Sequence, residues 1–279
     1  PYGTWYIREI EQPAGFVLDD TVYPVSIGKD AQVLEIKIVN KYIRGNIHLT
    51  KVDAEYPDNK LTGATFEVYK DSNGSGKLDD GDKLLGTLTE KEIGSYEMKD
   101  LFYGRYFVKE TKAPEGFVLD TGVYEVMIDT DGKTCEVENK AGVGFINEAM
   151  RGNLKIVKTS SDGKIKGFAF RITGANGYDI ILETNDKGEI VIEGIRIGDY
   201  TVSEVSNSAS AMYVLPADKK ATVKTGSTTI VEMHNVLRDT PKTGDATNLP
   251  LLYALAGLSA VGIAVTAFVG FKKKKEGND

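Results

Sequence analysis

Cysteine is almost absent: Cys135 is the only one in 279 residues. An internal disulfide framework is therefore excluded, and Cys135 reads as a small apolar strand residue. Histidine is nearly as scarce. His48 and His234 are the only two, both expected to face outward, so neither a zinc cluster nor a Ser-His-Asp triad is available. Basic charge is outweighed by acidic, leaving a formal net charge of −7, which gives no support to a nucleic-acid-binding face. No glycine-rich loop follows a strand and opens a helix, so the phosphate-cradling motifs are missing too. Proline is held to eight residues, and long helical patterns are lacking apart from one apolar run near the C-terminus. A multiple-turnover enzyme finds no machinery here.

What remains is rich in turns and strand formers. There are thirty glycines and fourteen tyrosines, and 41% of the residues are hydrophobic, enough for two or more cores of ordinary size. Runs of alternating Val, Ile, Tyr and Phe are separated by Asp-Gly and Asn-Gly turns, the pattern of short antiparallel strands. Their number and spacing imply β-sandwiches, so the fold class is all-β.

The chain also repeats itself. TWYIREIEQPAGFVLD (4–19) returns as RYFVKETKAPEGFVLD (105–120), and KIVNKYIRGNIHLTKVD (37–53) as GFINEAMRGNLKIVKTS (144–160). A third glutamate-bearing stretch, GDYTVSEVSNSASAMYVLPAD (198–218), precedes TIVEMHNVLRD (229–239). The repeats divide the chain into the tail of one domain (1–44) and two complete domains (45–152 and 153–238). Because it begins at Pro1 inside a repeated unit, the chain is expected to be a fragment.

Side chains two apart on a strand share a face. Tyr106, Val108 and Glu110 therefore point together, as do Tyr200, Val202 and Glu204, and Trp5, Ile7 and Glu9. The same rule places Lys51 with Ile47 and Leu49, and Lys158 with Leu154 and Ile156. It places Asn40 with Ile36 and Ile38, Asn147 with Val143 and Phe145, and Asn235 with Val231 and Met233. Asn139 shares a face with Cys135 and Val137, so the middle domain has two candidate asparagines; the eleven-residue offset to the next lysine favours Asn147. Each complete domain thus aims one Lys, one Glu and one Asn at its core, whereas Glu9 and Asn40 of the first unit have no lysine in this chain.

Unpaired charge in a core costs several kcal/mol, on the order of the ionic desolvation penalty. Burial lowers a lysine pKa and raises a glutamate pKa. The combination yields a nucleophilic amine beside a protonated acid, with a carboxamide held against both. Attack would form a Lys–Asn isopeptide bond and release ammonia, with Glu110 or Glu204 moving the proton and enforced proximity supplying much of the rate. The competing arrangement is a buried Lys–Glu ion pair with an Asn hydrogen bond and no covalent link.

The trio, with LTGATFEVYK (61–70) and YFVKETKAPEGF (106–117), resembles the SpaA/Cna B-type domains of Gram-positive pilins and adhesin stalks. The resemblance implies tandem prealbumin-like, or inverse immunoglobulin-like, sandwiches that form such bonds, and it covers residues 1–238. The last domain keeps only the Glu and a Pro-Ala remnant of the motif.

Thr240, Pro241, Lys242, Thr243 and Gly244 lie in a polar linker (239–248). An uncharged run (249–271), long enough to cross a bilayer as a transmembrane helix, and a tail with four lysines (272–279) follow; such a cationic flank stays cytoplasmic. This order resembles the LPxTG-like cell-wall sorting signal of Gram-positive surface proteins, with Thr240 where leucine is usual. The resemblance implies membrane anchoring before sorting, then cleavage by sortase between Thr243 and Gly244 and transfer to a peptidoglycan or pilin amine.

Residues 71–82 suit two readings. Asp71, Asn73, Ser75, Asp79 and Asp82, with the Lys77 carbonyl, fall at the ligand positions of a calcium loop; an acidic hairpin turn uses the same residues. No cofactor is otherwise required. The chain as a whole reads as an extracellular, wall-anchored stalk or pilin-type protein. The alternative is an adhesin that binds a host extracellular-matrix protein through these or preceding domains. No Tyr-Pro-Lys pilin motif is present, which favours a role outside the polymerised shaft.

Overall fold

The computed structural model describes residues 1–238. Residues 239–279, which include the expected sorting motif, membrane segment and basic tail, lie outside the described residues. No helix among the described residues is long and apolar enough to cross a membrane; a single 3-10 turn, Ala175–Gly177, interrupts the strands.

The first unit contributes Gly3–Ile7 (β1) and Tyr23–Ile27 (β2), an antiparallel pair. The middle domain runs Arg44–Asp53 (β3), Thr65–Lys70 (β4), Lys83–Thr87 (β5), Thr89–Glu92 (β6), Ser95–Phe102 (β7), Gly104–Lys112 (β8), Val123–Ile128 (β9), Thr134–Glu136 (β10) and Phe145–Asn147 (β11). One of its sheets has the order β10-β3-β7-β6 with β11 also on β3; the other is β5-β4-β8-β9. The last domain runs Arg151–Ser160 (β12), Ala169–Gly174 (β13), Asp179–Glu183 (β14), Glu189–Arg196 (β15), Gly198–Val205 (β16), Tyr213–Val214 (β17), Lys219–Val223 (β18) and Thr228–Leu237 (β19). Its sheets are β15-β12-β19-β17 and β14-β13-β16-β18. β3 and β12 start just ahead of the positions 45 and 153 read from the repeats.

Alternation explains the layering. β3 and β12 bury every second side chain, and these meet the inward faces of β4 and β8, or of β13 and β16, to form one core per domain. The decisive topological feature is that the first and last strands are parallel neighbours: β3 with β11, and β12 with β19. A sandwich whose other pairings are antiparallel, apart from β10 on β3, so brings its entry and exit strands side by side.

The first unit departs from the alternation argument. Trp5 and Ile7 are 46% and 44% exposed rather than core-facing, because among the described residues no second sheet covers β1 and β2. The expected strand through Ile36, Ile38 and Asn40 is also not formed.

Between domains, the Pro-x-Gly-Phe motif has a definite task. Gly15 and Gly116 adopt positive φ, 86° and 83°, which glycine tolerates without strain. Their carbonyls accept hydrogen bonds from Ile43 and Met150 at 2.9 and 2.8 Å, in the segments entering the next domains. Tyr103 N then donates to Ile43 O and Ile197 N to Met150 O, repeating one joint twice.

Candidate functional site

Lys51 sits on β3, buried completely beside the Phe145 ring. In the parallel register Lys51 lies opposite Phe145 and Asp53 opposite Asn147. Lysine and asparagine are therefore two residues out of step on adjacent strands, on one face. The Lys51 Nζ donates to the Phe145 carbonyl at 3.1 Å and the Val52 carbonyl at 3.4 Å, not to Glu110 as an ion pair. Burial lowers its pKa to about 8, against the opposing pull of Glu110, Asp120 and Asp53.

Glu110 comes from β8 on the facing sheet and is fully buried. Its Oε2 accepts the Asn147 amide at 2.8 Å and the Asp120 backbone N–H at 2.8 Å. Burial raises its pKa, and those hydrogen bonds and the nearby Lys51 only partly offset the rise. The Asn147 Nδ2 also donates to the Val118 carbonyl at 2.6 Å. Both amide hydrogens are thereby engaged, while Asn147 Oδ1 and Glu110 Oε1 are buried without partners. Two orphaned oxygens next to a buried lysine are costly in a folded protein.

Of the two asparagines left open by alternation, the structure brings Asn147 to Glu110. Asn139 lies beyond β10 and grips Ile146 instead: its Oδ1 accepts Ile146 N at 2.6 Å and its Nδ2 donates to Ile146 O at 2.8 Å. The Asn139 amide also donates to Asp120 at 2.7 Å.

The last domain repeats the trio. Asn235 Nδ2 donates to Glu204 Oε1 at 2.6 Å, and Glu204 Oε2 and Asn235 Oδ1 again lack partners. Burial lowers the Lys158 pKa and raises that of Glu204. Lys158 donates to the Thr159 carbonyl and stands 4.2 Å from the Phe168 ring. In the first unit Asn40 still donates to Glu9 at 2.6 Å, with no lysine beside them.

Sequence reasoning missed two groups. One is Asp120, whose signal was its ten-residue distance from Glu110, matched by Asp19 and Glu9, where Asp19 N donates to Glu9 at 2.8 Å. The other is Arg196, which forms a bidentate pair with the buried Asp53 at 2.6 and 2.7 Å and reaches Glu55 at 3.0 Å. That pair joins the last domain to β3, the strand that carries Lys51.

The 71–82 loop is arranged for a turn rather than a cation. Asp71 accepts the amides of Gly74 and Gly76 and faces Arg105 at 3.6 Å. Asn73 directs its amide nitrogen at Asp79, Ser75 hydroxyl bonds the Lys77 carbonyl, and Asp82 accepts the amides of Ser72 and Asp79. No group of three or more His, Cys, Asp or Glu is gathered for a metal among the described residues, so the residues as placed do not fit calcium.

Comparison with known proteins agrees with this architecture. The SpaA prealbumin-like fold domain family matches residues 1–42, 45–141 and 152–237. The chain belongs to that family. It is 26% identical over 204 residues to the trypsin-resistant surface T6 protein of Streptococcus pyogenes serotype M6, covering 62% of this chain and 35% of that protein. The structure of the Bacillus anthracis TIE protein is similar at 26% identity and a TM-score of 0.61, covering 85% of this chain and 42% of that one. A streptococcal ancillary pilin aligns at 20% identity and a TM-score of 0.32, over 86% of this chain and 76% of its own. The chain therefore spans about a third of the length of the surface T6 protein and less than half of the solved TIE chain.

Proposed function

We propose that this chain is part of a Gram-positive surface stalk or pilin-type protein whose two complete domains each close with a Lys–Asn isopeptide bond. Its family and a surface protein among its relatives support the structural role. One observation carries the crosslink: in both domains a buried glutamate holds the amide nitrogen of an asparagine on the strand next to a buried lysine.

In the reactive form the Lys51 proton resides on Glu110, which burial favours. The neutral amine attacks Asn147 Cγ. Glu110 relays one proton from the attacking nitrogen to Nδ2, the C–N bond to Nδ2 breaks, and ammonia leaves. One amide replaces another with no oxidant, and Lys158, Glu204 and Asn235 act alike. The bond joins the strand where tension enters a domain to the strand where it leaves, so load bypasses the intervening residues. Closing loops of roughly 80–100 residues is worth about 4–5 kcal/mol on chain-entropy grounds.

The C-terminal segment, argued from sequence alone, is the sorting signal: sortase cleaves after Thr243 and transfers the chain to a wall or pilin amine. Intact mass measurement of residues 1–238 tests the central reading. The expected mass is two ammonias below the unmodified chain, with Lys51→Ala and Lys158→Ala each restoring one; the unmodified mass would refute it.

A further inference from the structure

The middle domain holds a second polar cluster beside its trio, built from Asp120, Asn139 and Tyr124. Asp120 is divided between two tasks. Its backbone N–H holds Glu110 Oε2 at 2.8 Å. Its carboxylate accepts Asn139 Nδ2 at 2.7 Å, the Tyr124 hydroxyl at 2.9 Å and Gly122 N at 2.6 Å. Asn139 in turn clamps both backbone groups of Ile146. Ile146 stands between Phe145, whose carbonyl receives the Lys51 amine, and Asn147, whose amide meets Glu110.

We propose that Asp120 and Asn139 form a positioning brace that sets the acid and the target asparagine in mutual register for isopeptide formation. The inference rests on the crosslinking reading above. The geometry gives each member a separate part. Asp120 fixes the acid through the backbone, and Asn139 fixes the short strand β11, which has only three residues and few ladder bonds of its own. Tyr124 ties the brace to β9 and packs its ring on Phe145. The brace lines a surface cavity of about 350 Å³ together with Val118, Ile146 and Asn147.

The distribution of the brace supports a role in rate rather than in folding. In the first unit the Asp19 amide holds Glu9, and Tyr23 donates to Asp19 at 2.5 Å. In the last domain Glu204 receives only the Asn235 amide, yet its core is equally closed. A sandwich of this type therefore folds without the brace. Its presence beside Glu110 adds alignment, and misplacement of reacting groups by about 1 Å is enough to cost on the order of 10²-fold in rate.

The test is a pulse of cell-free synthesis of the 279-residue chain, with samples denatured at intervals and crosslinked peptides quantified by mass. The Lys158–Asn235 bond in the same molecules serves as an internal clock. Asn139→Ala and Asp120→Ala are expected to slow the Lys51–Asn147 bond at least roughly tenfold relative to that clock. The backbone donor to Glu110 survives in both changes at Asp120, so Asp120→Asn, which alone keeps an acceptor oxygen for Asn139 and Tyr124, is expected to recover most of the rate. Thermal melting of the same changes in a Lys51→Met background, where no bond forms, reports any effect on folding separately. An unchanged rate in Asn139→Ala and Asp120→Ala, with the bond still formed, overturns the brace alone. Lys51 crosslinked to Asn139 overturns it as well. Absence of both bonds from the unsubstituted chain overturns the crosslinking reading itself.

Discussion

The middle and last domains carry the same three residues on equivalent strands, but their surroundings differ. Glu110 is fully buried and receives two donors, one from a backbone amide; Glu204 is 8% exposed and receives one. Asp53, two residues beyond Lys51, is locked to Arg196 of the neighbouring domain, whereas Ser160, two beyond Lys158, bonds Asp162 within its own turn. On the proposed reading, the difference separates the trio in a dry core, common to both domains, from what is particular to each. Alignment and coupling to neighbours are added around it. Loop closure worth about 4–5 kcal/mol is nearly equal for the two proposed bonds, so the domains should differ in how fast they lock more than in what locking contributes.

The largest effect expected from breaking this comparison is loss of a bond. Asn147→Ala and Asn235→Ala should each destabilise only their own domain, by about 4–5 kcal/mol from the bond itself, seen as one calorimetric transition moving while the other stays. Movement of both together would mean that the domains unfold as a unit. Next come Glu110→Gln and Glu204→Gln, which keep shape but remove the proton carrier. Each should slow its own bond by about 10²–10⁴-fold, read from the crosslinked fraction over time; a normal rate would remove glutamate from the mechanism.

Arg196→Ala should act on the middle domain although it lies in the last. It removes both Arg196 donors from the buried Asp53 carboxylate and leaves it only the Glu55 and Tyr56 backbone N–H groups, at a cost of up to about 3–5 kcal/mol for a buried pair broken on one side. Denaturant melts of the two-domain chain would show this, and an unchanged melt would make the joint decorative.

The smallest effect is a pH dependence. In Asn147→Ala, Lys51 stays free and buried, with a folded pKa of about 8 against 10.5 for an ordinary lysine. Between these values the unfolded chain binds more protons, so stability should rise as pH climbs from about 8 to 10.5; below about 8 the whole burial cost is present. The difference from Asn147→Ala combined with Lys51→Met isolates the lysine, and a flat difference would mean that Lys51 is not held with its charge disfavoured.

Much of this site was legible before any coordinates. Period-two alternation alone put Lys51, Glu110 and Asn147 on inward faces, because strand geometry leaves a side chain only two directions. Alternation could not choose between Asn139 and Asn147, since both satisfied it; the choice came from the turn after β10, which sends Asn139 to the backbone of Ile146. It also placed Trp5 and Ile7 inward, correctly for a strand in a sandwich but not for a pair of strands with nothing stacked on them. The calcium spacing in 71–82 shows the same limit of a local pattern. Ligand positions along a chain do not say whether the oxygens converge, and here backbone amides take them.

By itself the sequence determined the all-β class, the repeat and the inward-facing lysine and glutamate of each complete domain, because these follow from local periodicity and the scarcity of alternatives. Only the tertiary structure decided that first and last strands lie parallel and adjacent, which asparagine meets the glutamate, and how Asp120 and Arg196 reach the site. Those contacts join residues far apart in the chain, and their geometry depends on how whole sheets stack rather than on any neighbour in sequence.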